Sequence, residues 1–323
     1  MKECYGHLSV EASSKCNISC IMCSLGNSIK SGGLMEMRVF EKALEAISEV
    51  KTMDFGYTGE TLLNSSLPKM LKSAREVNPK AYIHVITNGM LLDKATAKSF
   101  IENQLGHVVF SIDAATENSY KNIRKGGDFN RVINNIRMLN ELKEKEKSQF
   151  PGLASIYTAN SVNIQELPAF VEMAAKLKIS DISVNNVEAY TPEMRDKTLY
   201  LNKRFRQAFT YVKLAKEKAK EHRITIKFAE YMPKNPKSCK YIDPLINWEG
   251  DVIPCAALSY EREYYFFEEK KKYSKVSYGN IVEESFRQIW NKAEYKKFRD
   301  TVACGDFPSV CKHCMRKYGI ICP

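Results

Sequence analysis

Short alternating apolar stretches and longer stretches with helical spacing follow one another through the first half of the chain. The short stretches predict six strands, at residues 8–12, 52–57, 81–86, 108–112, 154–157 and 181–184. The longer stretches predict helices at residues 35–50, 67–77, 94–102, 132–145 and 167–177. A regular alternation of strand and helix is typical of α/β folds in which helices cover a parallel sheet. We therefore predict a parallel sheet with its helices on the outside.

The pattern changes after residue 190. Residues 199–223 predict one long charged helix, and residues 224–228 predict a strand. Pro233 and Pro236 then interrupt regular structure. We accordingly predict an α/β domain over residues 1–195, a connecting helix and strand over 196–232, and a small cysteine-rich domain over 233–323.

Composition and charge narrow the functional classes. The 323 residues contain no run of eighteen apolar residues and no charged-apolar-small leader, which predicts a cytoplasmic protein without a membrane span. The net charge of +11 could indicate a nucleic-acid ligand, but much of the excess lies in mixed Lys/Glu runs typical of solvated helices. A nucleic-acid partner is therefore less favoured than an anionic small molecule, an acidic peptide or a simple role in solubility.

Three cysteines follow the first predicted strand with the spacing C-x3-C-x2-C: Cys16, Cys20 and Cys23. In a reducing compartment such cysteines are more often metal ligands than disulfides. Thiolates favour zinc, copper(I) or iron–sulfur clusters, and three of them leave one iron of a cubane with an open coordination position. A structural zinc site that borrows a fourth ligand is the alternative.

Unusual polar residues stand at the ends of the next predicted strands: Gly59 and Glu60, Asn88 and Gly89, Ser111 and Asp113, and Asn185 and Asn186. In β/α barrels the chemistry gathers at the C-terminal ends of the strands. Each of these residues could also belong to a turn or a helix cap. Their shared location favours a common site.

The cysteine spacing and these strand ends together resemble the radical S-adenosylmethionine (SAM) superfamily. The resemblance implies a partial (β/α)6 TIM-like barrel over residues 8–186. It also implies a [4Fe-4S] cluster on Cys16, Cys20 and Cys23 whose open iron is chelated by the amino and carboxylate groups of SAM.

The resemblance further implies SAM contacts on two loops. Gly59 and Glu60 correspond to the family's Gly-Gly-Glu stretch, with Thr58 in place of the first glycine. Glu60 is then expected to engage the SAM amino group. Met22 occupies the position whose backbone lies near the adenine.

Three more contacts are implied near the fourth predicted strand. Ser111 and Asp113 belong to a Ser-Ile-Asp element that faces SAM in the family. Arg124 is the candidate partner of the SAM carboxylate, because a guanidinium can meet a carboxylate through two parallel hydrogen bonds. The alternative for Arg124 is a solvated arginine at a helix end.

A second group of cysteines lies near the C-terminus: Cys239, Cys255, Cys311 and Cys314. A hairpin with its turn at Gly250 could bring the first two together, and the C-x2-C pair would complete four ligands for an iron–sulfur cluster or for zinc. The arrangement resembles the SPASM/twitch extension of radical SAM enzymes, in its shorter form with one auxiliary [4Fe-4S] cluster. Cys304 and Cys322 are left over, and either could replace one ligand.

The resemblance implies reductive cleavage of SAM, with an electron from a partner such as flavodoxin or ferredoxin. The resulting 5′-deoxyadenosyl radical would take a hydrogen atom from the substrate, and the auxiliary cluster would accept an electron. The family's exposed cluster also implies sensitivity to oxygen, hence an anaerobic setting.

Three functions remain open. The first is an oxidoreductase that acts on a polar small molecule, such as a carbohydrate or aminocyclitol. The second is a maturase of a ribosomally made peptide; many maturases carry an N-terminal peptide-binding domain, for which a first strand near residue 8 leaves no room, and this favours the first function. The third, a non-catalytic iron–sulfur or zinc sensor or nucleic-acid-binding protein, leaves the strand-end residues unexplained.

Overall fold

The computed structural model describes residues 6–24, 32–200, 204–230, 239, 243–312 and 314–319. Its strands are β1 (His7–Val10), β2 (Ser19–Cys20), β3 (Thr52–Phe55), β4 (Tyr82–Thr87), β5 (His107–Ser111), β6 (Arg124–Lys125), β7 (Gly152–Ala159), β8 (Asp181–Asn186), β9 (Thr225–Phe228), β10 (Leu245–Ile246), β11 (Val252–Ile253), β12 (Arg262–Phe266) and β13 (Glu269–Tyr273). Nine of them form one sheet in the order β11-β10-β1-β3-β4-β5-β7-β8-β9.

The six predicted strands are confirmed as parallel neighbours in the middle of this sheet: β1, β3, β4, β5, β7 and β8. Burial alternates along them, for instance throughout β7, because successive side chains point to opposite faces. One face packs against the helices, and the other lines an open cleft through Ile86, Ser111, Ile156 and Thr158. The barrel is extended by β9, which pairs with β8 in parallel.

The structure describes ten helices, and six of them correspond to predicted ones. The ten helices are α1 (Met37–Ile47), α2 (Leu67–Val77), α3 (Lys94–Glu102), α4 (Glu117–Ile123), α5 (Phe129–Lys145), α6 (Leu167–Lys176), α7 (Pro192–Arg195), α8 (Arg204–His222), α9 (Phe286–Trp290) and α10 (Ala293–Ala303). Helix α5 begins three residues earlier than predicted, because the Asp128 side chain accepts a hydrogen bond from the Arg131 amide and caps it there. Helix α4, capped in the same way by Thr116, is too short for its periodicity to be recognised.

The C-terminal region joins the sheet. The predicted hairpin is confirmed as antiparallel β10 and β11, with Gly250 at a φ of +95° in the turn, and β10 pairs with β1 in parallel. A second hairpin, β12 and β13, lies beside the end of β8, where the Tyr265 amide donates to the Ala189 carbonyl at 2.7 Å. The predicted domain boundaries stay predictions, and Pro233, Pro236 and Cys322 lie outside the described residues.

Of the helices that the structure describes, none is long and apolar enough to cross a membrane.

Candidate active site

Residues 13–23 contain the three cysteines with the C-x3-C-x2-C spacing, and we call this stretch the cysteine loop. Backbone hydrogen bonds join this loop to the segment around Arg124. Strand β2, within the loop, pairs antiparallel with β6, which places Cys20 opposite Arg124. The Ile21 amide also donates to the Ile123 carbonyl at 2.9 Å. The backbone thus fixes the cysteine loop and the candidate SAM-binding arginine next to each other.

Most of the predicted site residues line one part of the cleft, which we call the inner cleft. Its volume is about 760 Å³. Its walls include Cys16, Cys20, Met22, Cys23, Tyr57, Thr58, Gly59, Glu60, Asn88, Ser111 and Arg124. The fold therefore brings together residues that are more than 100 positions apart in the chain.

The cysteine side chains stand in a partly desolvated pocket. Burial raises the pKa of Cys20 to about 12, while the Arg124 guanidinium, with Nη1 at 3.6 Å from the Cys20 sulfur, acts in the opposite direction. Across the described part of the chain, no three His, Cys, Asp or Glu side chains converge closely enough to hold a single metal ion. A cubane binds each thiolate at a different iron and does not require such convergence. The three thiols along the inner cleft fit a cubane that keeps one iron open.

Arg124 forms a buried ion pair with Asp113. Its Nη2 donates to Asp113 Oδ2 at 2.5 Å, and its Nε donates to the Ile112 carbonyl at 3.2 Å. Arg124 is only 7% exposed, so the alternative of a solvated helix-end arginine is wrong. Burial would lower the pKa of Arg124, but Asp113 and Cys20 raise it, which keeps the side chain charged.

Asp113 itself is fully buried beneath this arginine. Its Oδ1 accepts a hydrogen bond from the Thr158 amide at 2.6 Å, and its Oδ2 accepts from Arg124. Both oxygens are thus bonded within the chain, and the structure gives Asp113 the part of positioning Arg124. A direct SAM contact of either residue stays a prediction.

Glu60 is buried at the edge of the inner cleft with three donors around it. Its Oε1 accepts from the Leu62 amide at 3.0 Å and the Thr87 hydroxyl at 2.6 Å, and its Oε2 accepts from the Asn88 amide at 2.7 Å. Burial raises the pKa of Glu60, and these hydrogen bonds lower it. Since each carboxylate oxygen can accept two hydrogen bonds, Oε2 retains one position for a further donor such as an ammonium group.

Gly59 allows the loop after β3, which carries Glu60, to contact the cysteine loop. A Cβ at this position would lie 2.4 Å from the Lys15 carbonyl oxygen and 2.5 Å from that of Ser13. The neighbouring Glu60 amide donates to the Lys15 carbonyl at 2.7 Å. Only glycine permits this approach, which explains the Gly-Glu pair at the end of β3.

The remaining two predicted contacts also reach the cleft. Ser111 ends β5 with its side chain on the open face of the sheet. Met22 lines the inner cleft and packs against a small apolar cluster of Val187, Ala189 and Met194. Their roles toward SAM stay predictions.

A second part of the cleft, which we call the outer cleft, adjoins the first and has a volume of about 1000 Å³. It shares Met22, Cys23 and Tyr57 with the inner cleft, and it adds Glu188, Tyr190, Arg262 and Arg316. The sequence drew attention to this edge only through Asn185 and Asn186 at the end of β8. No spacing in the sequence pointed to the two arginines.

A buried ion pair crosses the outer cleft. Arg316 donates from Nε and from Nη2 to the two oxygens of Glu188, each at 3.0 Å, and the Tyr190 hydroxyl donates to Glu188 at 2.6 Å. Burial alone would raise the pKa of Glu188, but Arg316 and the hydrogen bonds lower it to about 2. Glu188 is therefore an ionised partner of Arg316 and a poor proton acceptor near neutral pH.

The four C-terminal cysteines that the sequence predicted as ligands line one small cavity: Cys239, Cys255, Cys311 and Cys314. Its other walls are mainly apolar, including Phe298 and Val302. Burial raises the pKa of Cys255 and of Cys311 to about 12. Cys304 is exposed at the end of α10 and does not line this cavity. Four thiols in an apolar cavity fit a cluster ligated by cysteines alone.

Two family profiles match the chain. That of the radical SAM superfamily matches residues 10–174, and that of the iron–sulfur cluster-binding domain known as SPASM matches residues 237–315. The chain is 25% identical over 319 residues to the tungsten-containing aldehyde ferredoxin oxidoreductase cofactor-modifying protein of Pyrococcus furiosus, over 95% of this chain and 86% of the relative. It is 24% identical over 324 residues to the PqqA peptide cyclase of Granulibacter bethesdensis, over 96% and 79% of the two chains.

Solved structures share the fold. Native anSMEcpe with bound AdoMet superposes with a TM-score of 0.67 at 18% identity, over 97% of this chain and 88% of that chain. Streptococcus suis SuiB bound to S-adenosylmethionine superposes with a TM-score of 0.66 at 18% identity, over 92% and 68% of the two chains.

Proposed function

Since the chain belongs to the radical SAM superfamily and carries a C-terminal SPASM domain, we propose that it takes a hydrogen atom from a polar small molecule held in the outer cleft. When bound, the [4Fe-4S] cluster and SAM supply a 5′-deoxyadenosyl radical by reductive cleavage of SAM. The protein's contribution is to bind, orient and shield the reactants.

In the inner cleft, each side chain takes one part of this task. Cys16, Cys20 and Cys23 hold the cluster, and Glu60 offers its remaining acceptor position to the SAM amino group. Arg124, fixed by Asp113, presents its unused N–H groups to the SAM carboxylate. All of these side chains except the buried Asp113 line the same cleft, which supports their acting on one ligand.

The observation that carries the proposal is the continuity of the two parts of the cleft. Met22, Cys23, Tyr57 and Ser111 line both parts. A substrate in the outer cleft would therefore lie directly beside SAM in the inner cleft, as hydrogen-atom transfer requires. The outer cleft is larger than the inner cleft, which leaves room for a small molecule beside SAM.

A single auxiliary cluster completes the proposal. One cubane on Cys239, Cys255, Cys311 and Cys314 would use all four thiols and leave no open iron for the substrate. The auxiliary cluster on these four cysteines would then accept an electron and would not bind the substrate. A reducing partner such as flavodoxin or ferredoxin would supply the first electron.

The named relatives support a small-molecule substrate and also a second candidate. The Pyrococcus furiosus relative is named for modifying a cofactor, which favours a small molecule. Peptide maturation is the second candidate, because another relative is a peptide cyclase, and structures of similar fold contain a bound peptide.

Formation of 5′-deoxyadenosine tests the radical SAM assignment in this chain. Anaerobically reconstituted protein with a reductant should cleave SAM, and Cys20→Ala should abolish cleavage, whereas Cys304→Ala should retain it. Persistent cleavage by the Cys20→Ala variant would contradict the cluster assignment. Two cubanes should give about eight irons per chain, and a value of about four would exclude the auxiliary cluster.

The substrate class can be tested with fractionated extract. We expect material below about 1 kDa, treated with protease, to stimulate 5′-deoxyadenosine formation by the wild type, since the proposed substrate is a polar small molecule. Stimulation that is found only in the peptide fraction and is lost after protease treatment would favour the maturase.

A further inference from the structure

Arg262 stands out among the charged groups of the outer cleft. It is 4% exposed, and all of its hydrogen-bond partners are neutral. Its Nη1 donates to the Ser24 hydroxyl at 3.3 Å, and its Nη2 donates to the Tyr57 hydroxyl at 3.0 Å and to the Ala257 carbonyl at 3.2 Å. Its Nε is buried without a hydrogen-bond partner. The ring centres of Tyr190 and Tyr273 lie 5.5 Å and 5.4 Å from the guanidinium carbon. Within the described ranges this guanidinium forms no ion pair: Glu188 attracts it but is paired with Arg316.

The other two arginines of the cleft differ in this respect. Arg316 is paired with Glu188, and Arg124 with Asp113. The charged groups that line the outer cleft are therefore two arginines and one glutamate, and two positive charges minus one negative charge leave +1.

One further carboxylate, Glu11, is buried behind this wall. Its Oε2 already accepts a hydrogen bond from the Tyr260 hydroxyl at 2.5 Å. Burial raises the pKa of Glu11 and favours its neutral form. Glu11 does not line the outer cleft, and its attraction to Arg262 is the smaller effect beside the burial that favours its neutral form.

Tyr57 adds a donor next to Arg262. Its hydroxyl oxygen accepts hydrogen bonds from Arg262 and from Arg316, each at 3.0 Å. A phenolic hydroxyl can also donate one hydrogen bond, and with the oxygen occupied by two donors its own hydrogen is directed away from them. Tyr57 lines both parts of the cleft, so this hydrogen is available to a ligand.

We propose that Arg262, together with the Tyr57 hydroxyl, binds a carboxylate or phosphate group of the substrate in the outer cleft. A buried cation without an ion-pair partner of its own is costly, whereas a planar guanidinium matches an oxyanion in both charge and geometry. This inference rests on the proposed function and names its substrate class as anionic. It also assigns Arg262 and Tyr57 a role in substrate specificity.

The test measures anion binding without turnover. Anaerobically reconstituted protein with saturating SAM is titrated calorimetrically with inorganic phosphate and, separately, with malonate, at constant ionic strength set by chloride. We expect the wild type to bind at least one of the two anions, and the stronger of the two identifies the group as phosphate or carboxylate. Arg262→Gln should lower that affinity at least tenfold.

Two further variants show whether a loss of binding comes from the missing guanidinium at position 262 or from a general effect on the protein. Arg262→Lys keeps the charge without the planar fork and should lie between the wild type and Arg262→Gln. Arg38→Gln, at a site that is 77% exposed, should bind as the wild type does and controls for the basic surface. Equal affinity of the wild type and Arg262→Gln, or no binding of either anion by the wild type, would overturn the inference.

The outcome is distinguishable from a failure of the proposed function. Anion binding does not depend on hydrogen abstraction, so it would persist even if the substrate were a peptide. Conversely, absence of the anion site would leave 5′-deoxyadenosine formation by the wild type in place.

Discussion

Replacement of Glu188 by Gln should destabilise the protein strongly, because it leaves Arg316 charged and buried. Glu188 and Arg316 are held by two hydrogen bonds of 3.0 Å and are 8% and 9% exposed. Glutamine keeps the size of the side chain but removes the charge. We expect the folded variant to lose both the attraction and the strong ionic hydrogen bonds.

Two independent estimates give the magnitude. The pKa of Glu188 falls from 4.5 to about 2 on folding, which corresponds to about 3 kcal/mol of stabilisation of the ionised form. Because the folded pKa is the lower one, this stabilisation is complete above about pH 4.5 and is lost as the pH falls toward 2. Loss of one partner of a buried pair typically costs about 3–5 kcal/mol.

The thermal midpoint of anaerobic, reconstituted protein at pH 7 measures the effect. At about 2 °C per kcal/mol, Glu188→Gln should lower Tm by roughly 6 °C or more. The matched control is Glu144→Gln, which breaks an exposed pair with Lys178 and should leave Tm unchanged within error. Addition of Arg316→Met to Glu188→Gln should recover part of the loss, because it removes the unpaired charge.

The reasoning would be refuted if Glu188→Gln and Glu144→Gln gave the same Tm. It would also be refuted if the Tm loss of the double variant equalled the sum of the losses in Glu188→Gln and Arg316→Met measured separately. Either result would mean that the two side chains do not depend on each other energetically.

Three further changes test the site. Gly59→Ala should prevent cluster incorporation, measured as iron content, because its Cβ would lie 2.4 Å from a carbonyl of the cysteine loop; normal iron content would contradict this close approach. Asp113→Asn should weaken SAM binding about tenfold, measured calorimetrically, because Arg124 loses its buried counter-charge and its fixed position; unchanged affinity would exclude Arg124 as the carboxylate partner. Cys311→Ala should remove about four irons per chain whereas Cys304→Ala removes none, and equal iron contents would show that the wrong cysteine is assigned.

The barrel was predictable because its signals are local. Each strand and most helices carry their own periodicity, and short polar signals at the strand ends mark the cleft. Gly59 and Glu60 were recognisable as a pair because the close contact with the cysteine loop restricts the first residue to glycine. The family resemblance then supplied the expectation for the cysteines.

The outer cleft was not predictable because its charged residues come from three distant segments. Glu188 and Arg316 are 128 residues apart, and no spacing connects them. Arg262 begins a hairpin rich in Lys and Glu, where a charged residue is normally solvated, yet the fold buries it. The pairing of β10 with β1 involves only two residues of each strand, too few to leave a recognisable pattern.

The C-terminal region builds both the auxiliary cavity and the wall of the outer cleft. Cys314 caps the short 3-10 helix Met315–Tyr318, and Arg316 in that helix lines the auxiliary cavity as well as the outer cleft. An auxiliary cluster bound to Cys314 would therefore help to fix Arg316, and through it Glu188 and the Tyr57 hydroxyl. Loss of activity in an auxiliary-cysteine variant thus cannot be assigned to electron transfer alone. Substrate binding must be measured separately, because the same short helix carries both functions.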